Sequence, residues 1–362
     1  MNRLFTRHVA TLMISFLVSS SVAFSQFDNV DFLKSASDDG VKFIEAYITP
    51  WANAFGAGLN GSWYNTAKPH KLSGFDITFS GNVGIVPLSE ESFDISTLNL
   101  SSANYSPVTG LTPTVAGSQD GGLEITYLQA YNSTSYPLAT FKTPSGTAWR
   151  YIPVPTAQVG IGLPLGTELK VRFIPRIPIK EGDIMLWGIG LMHSIMQYIP
   201  GNDLIPVDAS VFAGYTRLKA NVPLSLPNGS PSNYITYDPL SDFNDQNLAA
   251  IVSALNVSAI ASLNLPVITF YGGLGYSKTS TIVNLSGNFP TPVLVTTPTP
   301  HSEYNDSGVK EGPDFPEMNI ENFSGLRVNI GFRIKMAVVT FHADYTRAQY
   351  NVLSAGLGIS FR

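Results

Sequence analysis

Residue types that do chemistry are sparse in this chain, and their spacing argues against a catalytic centre. Beyond the first 25 residues the histidines are His70, His193, His301 and His342, and none stands in the HExxH pattern that sets two imidazoles on one helical face around zinc. Neither a GxSxG elbow nor a Walker A loop occurs. Gly272-Gly273-Leu274-Gly275 has the glycine content of a nucleotide loop, but Tyr271 and Tyr276 flank it and no helix is expected to follow, so it reads as a slim strand. Glu303, Asn305, Ser307, Gly308, Glu311 and Asp314 approach the ligand spacing of a calcium loop, with the first and last ligands exchanged between Asp and Glu. Without flanking helices this is a solvated acidic loop, the functional alternative being a loosely held divalent cation or calcium bridging lipopolysaccharide. No catalytic residue, metal site or cofactor is expected, and the chain does not read as an enzyme.

The charges with a recognisable pattern are basic and alternate with apolar residues. Lys170, Arg172 and Arg176 share one face of an expected strand, and Arg327, Arg333 and Lys335 share one face of a later one. Successive strand side chains point to opposite faces. If the apolar face meets lipid, these six bases point into a lumen. There they either favour anionic solutes, such as a fatty-acid carboxylate, or pair with acids such as Asp76, Asp208 and Asp344 to fill the interior.

The elements that position them follow from the same alternation. Phe75, Ile77, Phe79, Val83 and Ile85 alternate with Asp76, Thr78, Ser80, Asn82 and Gly84. The pattern returns over Gln158 to Leu163 and, after a tight turn at Pro164 to Thr167, over Leu169 to Ile177, which makes a hairpin. Further strands are expected at Ile184 to Met192, Val207 to Lys219, Leu248 to Ala259, Val267 to Lys278, Leu326 to Met336, Val338 to Arg347 and Asn351 to Arg362, with weaker ones between Phe93 and Arg150. Short joints contrast with long polar ones at Ser89 to Gly122, Pro223 to Asn247 and Ser280 to Gly325, as the two rims of an outer-membrane barrel do. The last strand sets Leu353, Ala355, Leu357, Ile359 and Phe361 on one face. It resembles the aromatic-ended tail that barrel-assembly machinery reads, although Arg362 follows Phe361.

Composition fits this architecture. Arg3 and Arg7, an apolar run from Val9 to Phe24, and the small residues Ala23 and Ser25 make residues 1–25 a signal peptide. No later segment is apolar for the roughly 20 residues that a membrane helix needs. The chain has 0 cysteines, so one large sheet must hold it without disulfide staples. Only 13% of its residues are charged, which suits an outer face in lipid, and a net charge of -5 argues against nucleic acid. Ahead of the strands, Asp38 and Asp39 can cap a helix beginning near Gly40, and Phe43, Tyr47, Trp51 and Phe55 recur every four residues along one face of it. Pro50 should kink that helix. The stripe either packs against the main fold or forms a hatch standing in a pore.

Two resemblances accompany these readings. Asn53 to Asn60, Trp63 to His70, Gly74-Phe75-Asp76, His193 to Gly201 and Tyr271 to Tyr276 resemble the signatures of an uncharacterised Bacteroidota outer-membrane β-barrel family. The layout, a short helical segment followed by a barrel, is similar to that of outer-membrane long-chain fatty-acid channels, which implies a hatch and a hydrophobic ligand but transfers no binding residue. The expectation is all-β: a monomeric closed antiparallel transmembrane barrel of about 12 to 14 strands. Its parts are a signal peptide (1–25), a helical hatch (26–71) and the barrel (72–362). It is expected in the outer membrane, among lipid and lipopolysaccharide, placed there by barrel-assembly machinery. The leading functional expectation is a passive channel for a small hydrophobic or amphipathic solute, without energy coupling. The alternative is a structural or adhesive barrel with a closed lumen and partner-binding loops.

Overall fold

The computed structural model describes residues 37–100, 105–107, 109–120, 122–131, 134–179, 182–200, 206–223, 235–236, 246–287, 293–294, 318–320 and 323–361. The signal peptide, the start of the expected hatch (26–36) and the acidic loop from Glu303 to Asp314 lie outside these residues.

The segments with a period of two build a wall. Its strands are β1 (Phe75–Ile85), β2 (Tyr151–Leu163), β3 (Thr167–Ile179), β4 (Gly182–Ser194), β5 (Val207–Pro223), β6 (Asn247–Asn264), β7 (Ile268–Ser286), β8 (Ser324–Met336), β9 (Val339–Arg347) and β10 (Asn351–Phe361). Each pairs antiparallel with its sequence neighbours, and β1 pairs with β10 from Phe75↔Phe361 to Ile85↔Asn351, which closes the sheet. Among the described residues the sheet holds eleven strands; the short segment Met318–Ile320 pairs there only with β7, and the other ten form the ring. The expectation of about 12 to 14 strands is therefore corrected to ten. The weak strands between Phe93 and Arg150 lie outside the ring in small sheets of their own. Ser92–Asp94 pairs with Leu111–Pro113, and the hairpin Glu124–Tyr131/Thr134–Lys142 pairs with Tyr105–Ser106. Asp94 organises this long connection by accepting from the Ser96 and Gly110 amides at 2.9 and 3.2 Å, which holds its carboxyl below the usual range.

The ring has two unlike rims. At one stand the short turns after β2, β6 and β8 and the longer connection after β4, and here the ring begins with β1 and ends with β10. At the other stand the long connections after β1, β5 and β7, with short joints after β3 and β9 between them. The apolar set of each strand faces outward, so Phe75, Ile77, Phe79, Val171, Ile189, Val257, Leu274, Val328, Leu357 and Ile359 are all exposed.

The inner face divides into two storeys. Near the long-loop rim it is apolar: Ile152, Val154, Ile174, Leu186, Leu218, Val252, Val283 and Leu285 are buried. Towards the short-turn rim Asp76, Gln158, Glu168, Lys170, Arg172, Asn256 and Asn329 line it. Helix α1 (Ser37–Leu59) stands in the apolar storey as one continuous helix through Pro50. Phe43 and Tyr47 pack in one cluster with Leu248 and Leu285 of the wall, Phe55 packs in a second with Val154 and Ile174, and Trp51 touches both. Burying a side chain of this size contributes roughly 1.5–3 kcal/mol. The fit requires glycine where helix and wall backbones meet, since a Cβ on Gly84 would lie 1.9 Å from the Ala54 carbonyl oxygen.

Leu357 lies mid-strand beside Phe79 and Phe341 and is 60% exposed. A charge there reports what the outer face meets. Leu357→Arg should cost about 2–4 kcal/mol in urea unfolding of the bilayer-inserted barrel. A change within about 0.5 kcal/mol, typical of a water-facing position, would mean that lipid does not lie there.

Candidate functional site

The end of α1 creates the problem that the lumen solves. The last carbonyls of a helix have no amide partners of their own and carry its negative dipole end. Here the chain tightens first: the amide of Asn60 donates to the Ala57 carbonyl at 3.1 Å and that of Gly61 to the Gly58 carbonyl at 3.0 Å. Ser62 then turns to a φ of 51°. The carbonyls of Leu59, Asn60 and Gly61 are left inside the barrel, out of reach of bulk water, and two arginines take them. Arg172 of β3 donates to Leu59 and Gly61 at 2.7 and 2.6 Å, and Arg327 of β8 donates to Asn60 at 2.7 Å.

These strands stand five places apart in either direction around the ring, so the helix end is clasped from opposite walls. Arg172 is held in turn by Gln158 at 3.1 Å and by the Trp63 ring, 3.7 Å below its guanidinium carbon. Stacking a desolvated guanidinium on an indole is among the stronger cation–π arrangements. Gln158 also donates to the Trp63 carbonyl at 3.2 Å, and Arg327 to Thr346 at 3.2 Å.

Below the clasp the chain crosses the polar storey in contact with the wall. Ser62 donates to Asn82 at 2.7 Å and Tyr64 to Asn329 at 2.8 Å, while the Ala67 amide donates to Ser262 at 3.0 Å. The Trp63 ring fills space left by Gly190 and Gly214, where added Cβ atoms would each lie 2.9 Å from it. At the short-turn rim the His70 amide donates to Glu168 at 2.9 Å, and its Nδ1 lies 3.0 Å from the same carboxylate oxygen. Lys170 donates to the other oxygen of Glu168. Atoms of His70, Asp76 and Glu168 lie within 4.8 Å of one another, close enough for a metal ion, but the Lys170 ammonium already sits on Glu168. This cluster reads as an ion-pair latch.

Of the six bases expected to point inward, Lys170 and Arg172 are buried in the lumen, as is Arg327. Arg333 is half-buried on the same face as Arg327, within electrostatic reach of Asp76 and Glu168, and Lys335 donates to Ser360 at 3.3 Å. Arg176 lies on the outside. The β3–β4 register shifts between Ile174 and Ile177, which reverses the alternation beyond it, and Arg176 pairs there with Asp183 at 3.4 Å. Of the three acids expected to pair with the bases, Asp76 lies within electrostatic reach of Lys170 and Arg333, Asp344 lies within reach of Arg327 and accepts from Tyr271 at 3.0 Å, and Asp208 accepts from Asn264 at 2.6 Å. Glu168, the acid that does hold Lys170, was missed by the sequence reading although it shares the Glu168, Lys170, Arg172 face. The hatch residues Phe43, Tyr47, Trp51 and Phe55 are brought together with the wall; Trp51 and Phe55 stack at 5.3 Å.

A protein-family model described as a family of unknown function (DUF6588) matches residues 1–361. No curated protein matches the chain. Among solved structures the chain is similar to the translocator domain of autotransporter NalP from Neisseria meningitidis, with 11% identity, 88% of this chain and 96% of that one covered, and a TM-score of 0.30. It is also similar to Ail, the attachment invasion locus protein of Yersinia pestis (6% identity, 80% and 98% covered, TM-score 0.24). A third is a Pseudomonas aeruginosa FadL homologue (10% identity, 85% and 96% covered, TM-score 0.23). No argument about activity follows from likeness at this level.

The clasp makes unequal demands on its two arginines. Arg172→Lys keeps the charge but not the fork that spans two carbonyls, and should lower the unfolding free energy by about 2–4 kcal/mol. Arg327→Lys, with one carbonyl at stake, should cost less. Urea titration of the folded barrel measures both, and losses under about 0.5 kcal/mol for the pair would remove the clasp as a stabilising element.

Proposed function

The chain belongs to that family of unknown function, and on this premise we propose that it is an outer-membrane β-barrel with a closed lumen, whose long loops form its working surface. The observation that carries the reading is the clasp: Arg172 and Arg327 hold three successive carbonyls of the segment that fills the barrel. An apolar outer face on a closed ring is what lipid requires, because an open sheet edge in hydrocarbon leaves backbone groups unpaired. The pattern of residues 1–25 supports export ahead of insertion.

This reading prefers the closed structural or adhesive barrel to the passive channel for a hydrophobic solute. The aromatic stripe that a channel needs along its path is spent on packing: Phe43, Tyr47 and Phe55 are buried between α1, the wall and the long connection after β1. A solute would have to displace the clasp, the Trp63 stack and the latch at Glu168 together. The long-loop face, by contrast, is built outward from the ring and carries the hairpin Glu124–Tyr131/Thr134–Lys142. Loops set on a rigid scaffold are the usual place for partner recognition.

Planar-bilayer recording tests this directly. The full chain should give no conductance steps, and the double variant Arg172→Ala/Arg327→Ala should give intermittent ones as the plug loosens. Steady conductance by the unaltered chain would overturn the closed-lumen reading.

A further inference from the structure

Helix α1 has a direction, and that direction sets the side of the membrane on which its first residues stand. Its early residues Val41, Phe43, Ile44 and Tyr47 pack in one cluster with Ile95, Val115 and Ile125, which belong to the long connection after β1. Backbone and side-chain bonds fix the same seat. The Val115 amide donates to the Tyr47 carbonyl at 3.0 Å, and the Tyr47 hydroxyl donates to the Ser145 carbonyl at 2.7 Å. The later residues Phe55 and Leu59 pack deeper, against Val154 and Ile174. Beyond the clasp, Trp63 and Tyr64 pack against Met192 and Phe212, and the chain reaches the short-turn rim where the Ser73 amide donates to the Gly162 carbonyl at 3.2 Å. Only there does β1 begin.

The polypeptide thus runs once through the whole interior, from the long-loop rim to the short-turn rim, before the first strand. A plug that entered from the short-turn side and stayed on it would leave its start at that rim. We infer that this barrel exports its own amino-terminal end: the start of α1 crosses the membrane through the barrel interior and is presented on the long-loop face, the rest of the helix remaining as the plug. The shared face of helix start and long loops stands on the geometry alone, whereas its position outside the cell rests on the reading proposed above. The polar storey carries the crossing chain, and the apolar storey retains the helix.

The complete absence of cysteine makes the test clean. Single-cysteine variants of the full chain report three places: Lys42→Cys in the first turns of α1, where the native side chain is 41% exposed, Leu111→Cys in the long connection, 70% exposed, and Leu165→Cys in the short turn after β2, 80% exposed. Glu45→Cys, at a half-buried position of the same helix, is a second reporter for its early turns, and heat-modifiable gel mobility confirms that each variant is folded. Cells are treated with a membrane-impermeant maleimide, intact and then permeabilised.

Intact cells should label Lys42→Cys and Glu45→Cys together with Leu111→Cys, while Leu165→Cys labels only after permeabilisation. If Leu111→Cys labels on intact cells but both helix reporters label only with Leu165→Cys, the export inference is overturned and the barrel reading survives. If every position, Leu111→Cys included, labels only after permeabilisation, the exterior display falls together with the outer-membrane reading.

Discussion

Three helix-terminal carbonyls inside a closed barrel are the constraint around which this molecule is arranged. Water cannot satisfy them, an isolated carboxylate nearby would worsen the dipole, and the wall must therefore supply cationic donors. Arg172 and Arg327 supply them from opposite sides of the ring. A guanidinium suits the task because one side chain reaches two carbonyls in fixed geometry and still offers a flat face to Trp63. Once the helix end is fixed there, the rest of the plug has a fixed height, and the wall follows: small residues where the helix touches, polar residues where the extended chain passes.

That height also explains the two storeys. A helix satisfies its own backbone bonds, so the wall around α1 is free to be apolar, and Val154, Ile174, Val252 and Val283 are. The segment from Asn60 to His70 makes few bonds to itself. Its amides and carbonyls need partners from the wall, which accordingly carries Gln158, Ser210, Asn256, Ser262 and Glu168 at those levels. The change from apolar to polar lining along one strand is the imprint of the change from helix to extended chain opposite it.

Much of the wall was legible in the sequence because an apolar outer face and polar groups inside impose a strict period of two. The pairing of the first and last strands, and the inward aim of Lys170, Arg172 and Arg327, follow from that period. It misleads where two positions count as one: the irregularity between Ile174 and Ile177 carries Arg176 to the outer face. Period also has no way to say which sheet a strand joins, so the strands between Phe93 and Arg150 inflated the ring beyond ten. The role of the arginines was out of reach for a different reason. Their ligands are backbone carbonyls, which every residue possesses, so no side-chain type at positions 59 to 61 announces them.

The seam between β1 and β10, from Phe75↔Phe361 to Ile85↔Asn351, joins the two extremes of the barrel sequence. Contacts this distant along the chain are slow to form, because the whole intervening loop must lose its freedom before they repay it. Every other strand pair of the ring joins strands that are consecutive in the chain, so the seam is the pairing with the longest loop to close. The plug is spliced directly to one lip of it, ahead of Phe75. Stopper and lock are therefore neighbours in sequence: the chain that leaves the lumen at Ser73 turns at once into the strand that shuts the wall.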